Sequence, residues 1–304
     1  MIDYKRIEIE DKKWIDPLLA AADMRGCQHN FTNLFAWSNI YNYCAAQVED
    51  FLVVKGENPD KAPGYLYPAG RGNPKPVLRA MSQDALNCGS EFRLVGLSPE
   101  NIAVLNSVFP ENFEFIEMRD SFDYVYLLDS LANLAGNKYQ AKRNHINRFM
   151  KNNVWSFEQI SPENLGECWE MNIEWCKEHG CKDDESLNNE NCAVSRCFDY
   201  FSELGLEGGL LRSGERVIAY TMGDKLNSDT YDIHIEKAFG GIQGAYQLIN
   251  REFAVFILKN HPDIIYVNRE EDMGNEGLRK AKLSYHPFRI EQKYLGRFLG
   301  PKLV

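Results

Sequence analysis

The sequence predicts a layered α+β or α/β protein built as two tandem domains, each a mixed central sheet flanked by helices. Three observations predict it. Short strand-like and helix-like stretches alternate through the first part of the chain, the pattern expected when helices cover the faces of a sheet. The alternation begins afresh with a helical period at Lys138. Further on, between Thr230 and Asn268, a strand gives way to a glycine-rich loop, a helix and another strand. At 304 residues the chain is long enough for two ordinary domains.

In order, residues 1–25 read as a charged strand and an amphipathic helix with Trp14, Leu18 and Leu19 on one face. Asn30 to Trp37 opens an aromatic helix, with Asn30 or Thr32 as its cap. Cys44–Val48 and Phe51–Val54 alternate about an acidic turn and predict a hairpin. The glycine- and proline-rich run Gly56–Pro76 encloses one short strand, Tyr65–Pro68. Helix Pro76–Asn87, strand Phe92–Val95, helix Pro99–Val108, strand Phe113–Glu117 and strand Asp120–Leu128 follow.

The second round has helix Lys138–Asn152, strand Trp155–Gln159, helix Pro162–His179 and helix Glu190–Leu204. Three strands come next, Leu206–Arg212, Arg216–Lys225 and Thr230–Glu236, separated by the hairpin-type turns Ser213-Gly214-Glu215 and Asn227-Ser228-Asp229. The loop Phe239–Ala245, helix Tyr246–Lys259 and strand Ile264–Asn268 complete the set. A three-strand meander, loop, helix and further strand is the connectivity of a GNAT acyltransferase core. The first half reads as a shorter version of it, giving domains 1–130 and 131–304 joined near residues 118–137, with the site in the second.

Composition narrows the function. A hydrophobic fraction of 44% with 12% aromatics fits a filled core, and a net charge of −10 argues against a general nucleic-acid coat or adhesion to anionic membranes. No apolar run approaches the roughly 20 residues that cross a bilayer, and Met1–Arg6 lacks the apolar core of a signal peptide. None of the eight cysteines forms a CxxC pair, which argues against zinc and for reduced thiols in a cytoplasmic protein. No Walker loop, HExxH or GxSxG is present, so no metal ligand and no tightly bound cofactor is assigned.

The glycine loop is the first candidate site. Gly240, Gly241 and Gly244 fall in five residues where strand becomes helix; glycine lets a ligand approach the backbone, and the first helical amides can receive an anion. A tight strand–helix connection would read the same way. On the helix, Ala245, Leu248, Ile249, Phe253, Phe256 and Ile257 form an apolar stripe that includes Glu252, a carboxylate needing a partner. Tyr246 and Asn250 share the neighbouring face.

Two polar clusters accompany it. Lys138–Lys151 holds five Lys or Arg in fourteen residues, and Lys142, Arg143, Asn147 and Arg148 suit a phosphate-bearing partner; the alternative is a solvated face. Asn268, Arg269, Glu270 and Asp272 follow a predicted strand end, where α/β sites are built, with Arg279 and Lys280 on a short helix beyond. Mixed charges there suit binding of a substrate amine or carboxylate, or a surface ion-pair network.

Lys138–Phe149, Glu236–Phe253 and Tyr266–Lys282, together with Asn30–Trp37, resemble a bacterial family of largely unassigned proteins grouped with the C-terminal catalytic domain of phosphatidylglycerol lysyltransferase. The resemblance spans nearly the whole chain. It implies a tandem GNAT fold like that of the Fem aminoacyltransferases, which move an aminoacyl group from aminoacyl-tRNA to an amine or a lipid hydroxyl. It does not extend to the membrane-spanning flippase portion. Against the acetyltransferase loop pattern (Gln/Arg)-x-x-Gly-x-(Gly/Ala), aligning Gly244 puts Gly241 at the first place and Tyr246 at the last.

The expected activity is therefore acyl transfer from aminoacyl-tRNA to an amine or hydroxyl on a small molecule, peptide or lipid headgroup. An acyl-CoA-dependent N-acyltransferase and a non-catalytic GNAT-fold binding module are the alternatives. Glu252, Asp272 and Glu236 are the candidate proton acceptors. Gly240, Gly241, Gly244, Ala245, Tyr246, Asn250, Lys142, Arg143, Asn147 and Arg148 are assigned to the donor, the 3' end of aminoacyl-tRNA or CoA. Tyr231, His234, Asn268, Arg269, Glu270, Arg279 and Lys280 are assigned to substrate.

Overall fold

The computed structural model describes residues 1–56 and 63–300. Two compact units appear. The first takes Met1–Asp123, Glu271–Lys280 and the chain from Ile290 on, and the second takes Tyr124–Glu270 and Ala281–Arg289. In place of the one boundary expected near residue 130, the chain crosses at Asp123 and returns twice to the first unit.

The first unit opens with β1 (Lys5–Arg6), β2 (Cys44–Val48), β3 (Phe51–Gly56), β4 (Gly64–Leu66), β5 (Ala69–Gly70), β6 (Arg93–Leu97) and β7 (Phe113–Glu117). The second unit carries β8 (Asp123–Leu127), β9 (Trp155–Gln159), β10 (Glu207–Ser213), β11 (Arg216–Lys225), β12 (Thr230–Ala238) and β13 (Tyr266–Asn268); β14 (Arg289–Glu291) begins at its last residue, and β15 (Tyr294–Phe298) belongs to the first again. The first sheet runs β1-β2-β3-β4-β6-β15-β7, with β5 on β3. The hairpin expected at residues 44–54 is β2 and β3, closed through Glu49 at φ +52°. The strand expected at Tyr65–Pro68 is present as β4, and residues 57–62 of the run before it lie outside the described residues. β15 was not expected. It pairs antiparallel with both β6 and β7, so contacts distant in sequence make it a strand.

Helices α1 (Lys12–Ala22), α2 (Phe31–Ala36), α3 (Ser38–Tyr41), α4 (Lys75–Asn87) and α5 (Pro99–Val108) belong to this unit. The buried side of α1 is Ile15 and Leu19, with Trp14 and Leu18 at its margin. Asn30 rather than Thr32 caps α2, its side chain accepting from the Thr32 amide at 2.7 Å. Val53, Tyr65, Leu78, Met81, Leu94, Leu105 and Phe109 form the core, where each buried aliphatic or aromatic side chain contributes about 1.5–3 kcal/mol.

In the second unit the sheet runs β14-β8-β13-β12-β11-β10-β9. Its helices are α6 (Leu128–Asn133), α7 (Gln140–Asn152), α8 (Leu165–His179), α9 (Glu185–Asp199), α10 (Phe201–Leu204) and α11 (Ala245–Asn260), and α12 (Glu276–Leu283) follows β13. The expected helix 190–204 is two helices, α9 and α10, broken at Tyr200, and Gly205 at φ +74° stops the second. The expected joint at 118–137 holds β8 and α6, and α6, in which Leu128, Leu131 and Ala132 are buried, packs on α11. Cys176 and Cys181 are joined in a disulfide, which corrects the expectation of eight free thiols for those two.

Candidate active site

β12 and β13 run parallel and pair only through Thr230–Asp232 and Tyr266–Asn268. Beyond Asp232 no described strand pairs with β12 on that side, so the sheet opens into a gap. The Asn268 side chain accepts from the Glu270 amide at 2.7 Å and Glu270 takes φ +54°, which ends β13. On the other side of β12 the pairing with β11 skips a residue. Met222 faces Ile235 and Gly223 faces Ile233, leaving His234 in a bulge. Bulges re-aim a side chain. Gly223 permits this one, since a Cβ there would come within 2.1 Å of the Asp232 carbonyl oxygen.

Arg269 spans the gap. Its Nη2 donates to Glu236 Oε1 at 2.7 Å, while Asn250 Nδ2 donates to Glu236 Oε2 at 2.9 Å. The guanidinium lies 5.6 Å from the Tyr126 ring centroid and 4.9 Å from that of Tyr285. Lys142, from α7, sits 4.0 Å from the Tyr285 ring and donates to Ser284 Oγ at 2.6 Å. Two buried atoms here lack a hydrogen-bond partner: Arg269 Nη1, a donor, and Asn250 Oδ1, an acceptor. Burial, then the neighbouring Arg269 charge, push the Lys142 ammonium below its ordinary value despite Glu236. Burial also opposes the charge on Arg269, but Glu236 outweighs it and raises the guanidinium.

Next to this, His234 Nε2 lies 3.0 Å from Asp224 Oδ1 and Nδ1 lies 2.9 Å from Glu270 Oε1. Burial disfavours the imidazolium, yet Asp224 and Asp232 outweigh it and raise His234 well above its usual range.

The glycine loop divides in two. Gly240 and Gly241 are exposed, with open space where a Cβ would stand. Gly244, at φ +97° before α11, is buried, and a Cβ there would meet His145 O at 2.6 Å and Phe149 Cβ at 2.9 Å. That glycine lets α11 start close against α7. Ala245 is buried behind it and Tyr246 is half-buried, its hydroxyl raised by burial.

The other expected residues scatter. Glu252 is not a core carboxylate; it pairs with its neighbour Arg251 at the edge of α11. Arg143 donates to the Leu134 and Gly136 carbonyls and so clamps the turn before α7, while Asn147 and Arg148 are exposed. Tyr231 is a core residue donating to the Gly223 carbonyl at 2.9 Å. Asp272 is fully buried in the first unit, held by Arg279 Nε at 2.9 Å and Arg119 Nη1 at 3.2 Å. Arg279 also reaches Asp120 at 2.7 Å, and Lys280 is exposed. Asp272, Arg279 and Lys280 thus belong to a different unit from Glu236, Asn250 and Arg269.

Tyr126 and Tyr285 carry the second-unit cluster and were missed, because aromatic residues in strand and loop read as core. The first unit has its own buried group. Lys293 Nζ donates to Asp123 Oδ1 at 2.6 Å and Glu271 Oε1 at 3.1 Å and lies 3.3 Å from Cys27 Sγ. Beside it is a cleft of about 280 Å³, lined in part by Gln28, His29, Ser98, Asn101 and Lys293. It contains none of the residues assigned from the sequence. Asp123, Glu271 and Cys27, like Asp232, His234 and Glu270, are close enough to ligate an ion. Lys293 and His234 supply the positive partner in the two sets.

Among solved structures, a conserved protein of unknown function from Bacteroides thetaiotaomicron VPI-5482 is 40% identical, with TM-score 0.94 over 98% of this chain and 100% of that one. L-PGS from Bacillus licheniformis matches at 16% identity and TM-score 0.65 over 96% and 93% of the two chains. FemX matches at 10% identity and TM-score 0.61 over 98% of each. At those identities the likeness shows the fold alone. A curated relative, an uncharacterized protein of Mycoplasmoides gallisepticum, is 25% identical over 178 residues, 58% of this chain and 56% of that protein's length. No helix among the described residues is long and apolar enough to cross a membrane. The model of the family described as phosphatidylglycerol lysyltransferase, C-terminal, matches residues 19–297, and the chain belongs to that family.

Proposed function

We infer that the chain is an acyltransferase that moves an aminoacyl group from aminoacyl-tRNA to an amine or hydroxyl acceptor. Family membership supports the reaction class. The observation that carries the reading is the gap between β12 and β13, crossed by the Arg269–Glu236 pair and bordered by Asn250, Lys142 and Tyr285. The acceptor nitrogen or oxygen attacks the ester carbonyl, its proton is lost, and the ribose hydroxyl leaves with a proton. Positioning and charge stabilisation supply most of the acceleration in such transfers. Of the three carboxylates expected to take the acceptor proton, Glu236 is the one that borders the gap.

One observation favours a second reading, transfer from acyl-CoA: Gly240 and Gly241 stand open ahead of α11, where backbone amides can receive a pyrophosphate. Incubation with a mixed pool of charged tRNA or with acyl-CoA, each over a panel of amine, peptide and phosphatidylglycerol acceptors, separates the two. Acceptor-dependent loss of the aminoacyl ester supports the first reading. Acceptor-dependent release of free CoA thiol replaces it with the second.

A further inference from the structure

We propose that Lys142 and Arg269 together hold a phosphate group of the acyl donor in the gap between β12 and β13. That the phosphate is the donor's rests on the acyltransferase reading; that the place takes a phosphate does not.

Charge is the first ground. Lys142 and Arg269 bring two positive charges, and Glu236 brings one negative, already engaged at both oxygens by Arg269 and Asn250. The contacts of Lys142 are a hydroxyl, Ser284 Oγ at 2.6 Å, and the Tyr285 ring at 4.0 Å, neither of them an anion. Burial first, and then the Arg269 charge, hold the Lys142 ammonium below its ordinary value, against the pull of Glu236.

Geometry is the second. Arg269 Nη1 is a buried donor without a partner, and a buried donor left unmade costs about 1–3 kcal/mol. Tyr285 stands within 4.0 Å of one cation and 4.9 Å of the other, which fixes both before any ligand arrives. A guanidinium with one unpaired donor beside an ammonium matches the several oxygens of a phosphate. Asn250, 1% exposed and bonded to Glu236 through Nδ2, offers an unpaired acceptor in Oδ1, suited to a hydroxyl next to the phosphate, as on a ribose.

Titration with inorganic phosphate followed by 31P NMR tests this. Wild type is expected to bind, and Lys142→Gln to bind about tenfold more weakly, the loss of one charge-assisted contact. Lys142→Arg is expected to retain most of the affinity. Lys151→Gln, an exposed lysine on the same helix, is expected to change nothing. Competition then identifies the source: displacement of phosphate by a CCA-ended RNA points to tRNA, and displacement by CoA points to the thioester donor. Absent phosphate binding in wild type, undiminished binding in Lys142→Gln, or displacement by neither competitor overturns the proposal. The readout is independent of turnover, so a chain that binds phosphate here and transfers nothing keeps this site and loses the acyltransferase reading.

Discussion

Arg269 meets Glu236 at 2.7 Å, Nη2 to Oε1, at the place where β12 and β13 stop pairing. The two side chains are 12% and 11% exposed, so the pair is nearly out of water. A nearly buried pair is costly to break from one side, because the remaining charge keeps its desolvation penalty.

Removing Arg269 alone should therefore hurt more than removing both partners. Arg269→Gln is expected to cost about 3 kcal/mol, and Glu236→Gln/Arg269→Gln to recover a good part of that. Urea denaturation of the single and double variants checks it; equal costs would mean that the pair carries little coupling.

Glu252 gives the contrasting case. It pairs only with Arg251 at the edge of α11, and an ion pair of that kind contributes about 1 kcal/mol or less. Glu252→Gln should leave both stability and acyl transfer close to wild type, as followed by melting temperature and turnover.

The glycines of the loop should separate in the same way. Gly244→Ala forces a side chain onto φ +97° and into the His145 carbonyl, a strain of about 2 kcal/mol or more. Gly241→Ala meets open space and is expected to stay within about 0.5 kcal/mol of wild type. Thermal melts of the two variants make the comparison.

Two histidines should tilt the pH dependence of stability in opposite directions. Burial, with Lys293 adding to it, holds His29 down at about 4 from 6.5. Its native form is neutral, so the stability it contributes is present above 6.5 and is lost as pH falls through 4, about 3 kcal/mol in all. His234 is raised above 6.5, so its contribution is full below 6.5 and is lost as pH rises through the elevated native value. Urea midpoints from pH 4 upward should show a flatter acid limb for His29→Gln and a flatter alkaline limb for His234→Gln.

Much of the fold was legible because local pattern and final contact agree. Trp155–Gln159, Arg216–Lys225, Pro99–Val108 and Phe113–Glu117 have the bounds their residues suggest. The returns to the first unit were not, because β15 is a strand through its pairing with β6 and β7 rather than through its own alternation. In the site, Arg269, Glu236 and Asn250 were recognisable as polar residues beside a strand end or a glycine loop and Lys142 as part of a basic helix, though not as neighbours of one another. Counting the α11 stripe from Ala245 misplaced Glu252, because Ala245 is buried at the start of a helix that packs on α7 there. Tyr126 and Tyr285 had no signal that separates a ring holding cations from one filling a core.

The most direct measurement is acceptor-dependent transfer of a labelled amino acid from charged tRNA by wild type and by Glu236→Gln, the latter first shown to be folded by circular dichroism. The account predicts transfer by wild type and a loss of about a hundredfold or more in Glu236→Gln, the scale of a missing proton acceptor. Equal rates in the two proteins, or label that stays on the RNA with wild type for every acceptor, would contradict it.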